Sequence, residues 1–205
     1  CALLDEGDAE ILKDLHSDTT LSVAQLAAKH EYHPDAFTRH SYDIELAWTY
    51  AYFTLKHPRL KAGPRRHLAI CIERQADEPD SGISTRINQA IEWAGSNSSS
   101  GDPYNPATQT KTLLDNTWRR LRPGPGAPGT DAKARRRLLA AAADYVILNN
   151  DAKPDHEEMG FEDDFEVVRS VRRALGLDAL GSGGTVFSIG DRDYYSQGDI
   201  SRWES

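Results

Sequence analysis

Between Asn150 and Asp164 the chain gathers seven carboxylates, Asp151, Asp155, Glu157, Glu158, Glu162, Asp163 and Asp164, together with His156. Pro154 cannot continue a helix, so this stretch reads as a connection between two helices. Carboxylates converging in such a hairpin suit the oxygen-loving cations Mg²⁺, Mn²⁺ or Ca²⁺, and Asp151, Asp155, Asp163 and Asp164 are the candidate ligands. A metal held there would polarise a phosphate-bearing substrate, with a carboxylate or His156 moving the proton. A plainer account covers part of the cluster. Glu162, Asp163 and Asp164 fall in the first turn of the next helix, where the helix dipole favours negative charge.

The histidines offer a second set of ligands. His16, His30, His33 and His40 lie close in sequence, but a zinc site needs a convergent face, and solvated or hydrogen-bonded imidazoles are the simpler expectation. No phosphate-binding glycine loop, Gly-x-Ser-x-Gly elbow, His-Glu-x-x-His or Cys-x-x-Cys is present. Two cysteines, Cys1 and Cys71, do not make a disulfide framework in 205 residues, which points to a reducing, cytoplasmic setting. A first residue other than Met is expected of a truncated, processed or renumbered chain. Seventeen of the 24 basic residues are arginine, a composition expected of a GC-rich bacterial source.

The elements that would position these groups read as helices. Apolar residues recur at helical spacing in 8–17, 22–30, 34–56, 84–94, 108–121, 131–149 and 161–175. Pro34 suits the first position of the third segment, and Asp131 suits an N-cap. Ser81 or Ser84 would cap the 84–94 helix, and Gly176 would stop the last one. The 34–56 helix is expected to bury Phe37, Ile44, Trp48, Tyr52 and Leu55. Leu68 to Ile72 fits either a strand or a buried helical turn. After Gly181 the pattern changes to a small β-hairpin or a loosely docked tail. The fold class is therefore mainly α: an irregular multi-helix bundle over 1–180, with surface loops near 95–107 and 122–130, and 181–205 as the tail or hairpin. Leu138 to Leu148 is the longest apolar run; it is too short for a membrane span and reads as a buried helix.

Two segments resemble known families. The order Asp151-x-x-Pro-Asp155 then Gly160-x-x-Asp163-Asp164, between an apolar helix and a second helix, resembles the YkvA family of small bacterial helical domains over about 138–175. The hairpin here is polar, His156-Glu-Glu-Met159, and one residue shorter than the family's apolar one. The resemblance implies an architecture that brings the four aspartates close, and no particular reaction. Leu26-Ala-Ala-Lys-His-Glu-Tyr-His-Pro-Asp-Ala-Phe-Thr-Arg-His40, within about 22–48, resembles a helix-turn-helix element. That resemblance implies a recognition helix with His33, Asp35, Thr38 and Arg39 toward the major groove. Glu31 stands at the turn position where such elements usually have glycine.

Charge divides the chain into three. Residues 1–58 carry 4 Lys/Arg against 10 Asp/Glu, residues 59–137 carry 14 against 8, and residues 138–205 carry 6 against 14. The basic middle either balances its acidic neighbours or faces an anionic partner, with Arg119, Arg120, Arg122, Arg135, Arg136 and Arg137 as its contact residues. The leading expectation is a non-enzymatic regulatory or accessory protein acting through protein or nucleic-acid contacts. The alternatives are a divalent-metal-dependent enzyme and a helix-turn-helix DNA-binding protein.

Overall fold

The computed structural model describes residues 2–17, 20–76, 78–98, 102–121, 129–148 and 160–177, and the backbone of 186–189 and 192–195. Among these residues eight helices follow in order: α1 (Glu6–His16), α2 (Val23–Lys29), α3 (Pro34–Lys56), α4 (Ala62–Arg74), α5 (Asp80–Ser96), α6 (Pro106–Leu121), α7 (Thr130–Ile147) and α8 (Glu162–Ala174). Strands β1 (Val186–Ile189) and β2 (Arg192–Tyr195) pair antiparallel, with Val186 opposite Tyr195. The mainly α class read from the sequence holds, and Leu68 to Ile72 is helical within α4. None of these helices is long and apolar enough to cross a membrane.

Helix α7 is the axis of the bundle, packing against α3, α4, α5, α6 and α8. Its run Leu138-Leu-Ala-Ala-Ala-Ala143 is fully buried, because short alanine side chains let several helices approach one cylinder at once. Asp144 interrupts that run without breaking it. Its carboxylate accepts hydrogen bonds from Gln75 Nε2 at 2.8 Å and Arg86 Nε at 2.9 Å, so α4 and α5 supply its partners.

Local signals explain several helix ends. Ser22 and Gln25 form a reciprocal capping box on α2, and Pro34 opens α3. Gly176, at φ 67°, ends α8 in a Schellman motif: Leu177 N–H donates to Arg172 O and Gly176 N–H to Arg173 O. Two expected caps differ. Helix α5 starts at Asp80 behind Pro79, which leaves both serines proposed to cap it, Ser81 and Ser84, inside the helix, and α7 is preceded by Gly129, which leaves Asp131 in its first turn.

The buried face of α3 is also rotated from the expected stripe. Phe37 and Ile44 are buried as expected, but Trp48 and Leu55 are half-buried and Tyr52 is exposed. Ala47, Thr49, Tyr50, Ala51 and Thr54 take the interior instead. Thr49 and Thr54 enter the core because each hydroxyl donates to the carbonyl four residues back, Glu45 O at 2.8 Å and Tyr50 O at 2.7 Å.

Candidate functional site

Arg135, Arg136 and Arg137, expected on a contact surface, are buried to within 5% exposure. For Arg135 and Arg137 the fold supplies partners far away in sequence. Arg135 donates to the Tyr50 hydroxyl from Nε at 3.2 Å and Nη2 at 2.9 Å, and its Nε is 3.0 Å from Asp131 Oδ2. The Tyr50 hydroxyl in turn donates to Asp131, and the guanidinium lies over the Tyr50 ring at 5.2 Å. Burial, then the charge of Asp131, push the Tyr50 phenol far above its ordinary range, so it stays a donor. Arg137 reaches Asp5 at 3.1 Å and Leu3 O at 3.3 Å, tying the start of the chain to α7. Arg119 and Arg120 do lie at the surface, on Asp115 and on Leu177 O respectively.

Two of the four proposed metal ligands, Asp163 and Asp164, are among the described residues. Asp164 is wholly buried in the core side of α8, whereas Asp163 is half-buried and accepts a hydrogen bond from the Tyr145 hydroxyl at 2.6 Å. Asp151 and Asp155, like Glu157, Glu158 and His156, lie outside the described residues, as does Arg122. Among the described residues no group of three or more His, Cys, Asp or Glu side chains is arranged to hold a metal ion. His16, His30, His33 and His40 do not converge on one point. His30 pairs with Asp14 and His40 with Asp8, both at 2.7 Å, His16 leans on Trp48, and His33 projects into solvent.

These histidine pairs build the α2–α3 corner. Asp14 and Asp8 of α1 hold α2 and α3 respectively, and His30 stacks on Phe37 beneath the turn. The Lys29 and His30 hydrogen bonds keep the Asp14 carboxyl below its ordinary range. Glu31, at φ 61°, is the described non-glycine residue with a left-handed backbone, and it completes a Schellman motif: Tyr32 N–H donates to Ala27 O and Glu31 N–H to Ala28 O. The turn therefore has the left-handed geometry that a glycine usually supplies. His33, Asp35, Thr38 and Arg39 are all exposed on the first turns of α3. Leu21, Val23 and Tyr32 are exposed apolar or aromatic side chains on the same corner, at 42%, 54% and 37%.

On another side of the bundle an open cleft of about 870 Å³ lies where α4, α6 and α8 begin. Arg59 and Lys61 come from the α3–α4 connection, Tyr104 and Gln109 from the start of α6, and Asp163 and Glu166 from α8. Leu60, Pro64 and Phe165 give it an apolar lining. Of the residues singled out in the sequence, only Glu162 and Asp163 line it. The signal that could have revealed the rest is Lys61-Ala-Gly-Pro-Arg-Arg66, which places cations at a helix start where the dipole disfavours them. Comparison with protein-family models, curated proteins and solved structures finds no match to this chain, so its function rests on its own residues.

Proposed function

We propose that this chain is a non-enzymatic helical accessory or regulatory module, and that it works by docking a protein partner on the α2–α3 corner. The observation that carries this reading is the chemistry of that corner. Leu21, Val23 and Tyr32 expose apolar surface there, flanked by the exposed acids Glu31 and Asp35. Burying such apolar side chains drives association, and the acids favour a partner with a basic rim.

Helix-turn-helix geometry by itself does not decide between protein and DNA. Binding to a duplex draws on several lysines and arginines placed against phosphates. Here Lys29 is engaged by Asp14 at 2.6 Å, which leaves Arg39 as the arginine of the corner, beside Asp35. That balance favours a protein surface.

The test is a photo-crosslinking residue at Val23, with the same residue at Lys111 on α6 as the control. A discrete protein adduct from Val23, lost on Tyr32→Asp and absent from Lys111, supports the reading. Retardation of a DNA duplex, steeply weakened by salt and by Arg39→Ala, would transfer the corner to nucleic acid. With neither adduct nor retardation, the docking role is refuted.

A further inference from the structure

The second half of α3, away from the docking corner, carries a patterned outer face. Glu45, Trp48, Tyr52 and Lys56 follow at spacings of three, four and four residues, so they form one stripe along the helix. Helix α1 reaches α3 only as far as that stripe. It lies beside α3 from Asp8, bonded to His40, to His16, whose ring is 5.5 Å from Trp48, and it ends there. One turn further on, Tyr52 is 37% exposed, and Lys56 beyond it is exposed as well.

The rings of this stripe hold one another in place. Trp48 and Tyr52 stack with centroids 5.2 Å apart, Phe53 meets Tyr52 edge-on at 5.4 Å, and the Lys56 ammonium lies 5.8 Å from the Tyr52 centroid. An aromatic centre is thus bounded by a carboxylate toward the start of α3 and by an ammonium toward its end. The order acid, aromatic, aromatic, base is its own complement when reversed. Two such helices laid antiparallel, about the midpoint between Trp48 and Tyr52, bring Trp48 of each against Tyr52 of the other. The same two-fold axis sets Glu45 of each against Lys56 of the other, so one symmetry operation satisfies both charges twice. A parallel pairing would set like charges side by side.

We infer that two copies of this chain pair through this stripe, α3 against antiparallel α3, with Trp48 and Tyr52 at the centre and Glu45–Lys56 contacts at both ends. The stripe is about three turns long, roughly 16 Å, so the contact is small and the dimer dissociates on dilution.

The test is sedimentation equilibrium of the full chain from about 1 μM to about 1 mM, across which the mass should rise from monomer toward dimer. Tyr52→Ala and Lys56→Glu, both at exposed positions, should each weaken the dimer by at least about ten-fold while the helical circular dichroism stays in place. The decisive sample is a mixture. Glu45→Lys alone sets two cations against each other, and Lys56→Glu alone sets two anions, but one copy of each variant restores both opposite-charge contacts. The mixture should therefore associate at least about ten-fold more tightly than either variant by itself. Tyr32→Asp, on the docking corner, should leave the dimer intact. The inference is overturned if the parent chain stays monomeric at about 1 mM, if Tyr52→Ala and Lys56→Glu both leave association unchanged, if the mixture of folded variants gains nothing, or if Tyr32→Asp dissolves the dimer. Should Glu45→Lys unfold the chain, Tyr52→Ala and Lys56→Glu decide alone.

Discussion

Replacing Tyr50 with phenylalanine removes one oxygen atom and strips three hydrogen bonds from the interior. The hydroxyl receives two N–H groups from Arg135 and donates to Asp131, all within the contact of α3 with α7. Hydrogen bonds to charged groups contribute about 1.5–3 kcal/mol, and these three share one atom and one ion pair, so their losses do not add. Arg135 keeps Asp131 after the change, which holds the expected cost of Tyr50→Phe to about 1.5–3 kcal/mol. For a chain of this size that lowers the melting temperature by roughly 3–12 °C. Removing the arginine is worse. Arg135→Met leaves the half-buried Asp131 carboxylate without its cation, and breaking a buried pair from one side costs about 3–5 kcal/mol. The assay is urea unfolding of both single variants and of the double variant. A coupling of about 0.5–3 kcal/mol between the two sites is expected. A Tyr50→Phe loss below about 0.5 kcal/mol would refute the reasoning, since the hydroxyl would then contribute no more than an ordinary surface group. Charge reversal at Arg135 consequently reports on folding, and it is unsuitable as a probe of partner capture.

Two further predictions concern the backbone and a histidine. Glu31→Gly should stabilise the chain by about 0.5–1 kcal/mol, seen as a higher melting temperature, because the left-handed conformation at φ 61° strains any residue with a Cβ; a loss of stability would show that the Glu31 side chain outweighs its backbone. His57 is buried and receives a hydrogen bond from Arg173 at 3.1 Å; burial, then the charge of Arg173, hold its imidazole below the ordinary 6.5. The unfolded chain takes up that proton first, so the His57 contribution is present above pH 6.5 and is lost as pH falls below it. Melting temperatures measured from pH 7.5 down to about pH 5 should fall less steeply for His57→Gln than for the parent chain, and parallel slopes would remove His57 from the acid response.

The sequence made the helices legible wherever a terminus carried its own chemistry. Pro34 at the start of α3 and Gly176 after α8 each fix an end through a backbone property that tertiary packing does not alter. The rotation of α3 was harder to read, because threonine counts as polar in a sequence, yet Thr49 and Thr54 satisfy their hydroxyls within their own helix and bury easily. The three consecutive arginines misled for a different reason. Three adjacent cations read as a solvated surface, yet Tyr50, the partner of Arg135, lies 85 positions away, and Leu3 and Asp5, the partners of Arg137, lie 134 and 132 positions away. The cleft was nearly invisible for the same cause, since its lining comes from three connections widely spaced in sequence. The turn at Glu31, by contrast, could be anticipated from local pattern alone, although a glutamate occupies the place of a glycine.

The central position of α7 governs the order in which this molecule can come together during its synthesis. Helices α3, α4, α5 and α6 all pack against an element that begins only at Thr130. Until that element has left the ribosome, the inward faces of those helices, including Ile44, Leu68, Ile87 and Leu114, have no common surface to close upon. The nascent chain must therefore wait for α7 with those faces uncovered toward it, an interval in which chaperones and proteases compete for it. Release of residues beyond Ile147 lets the bundle close around its axis.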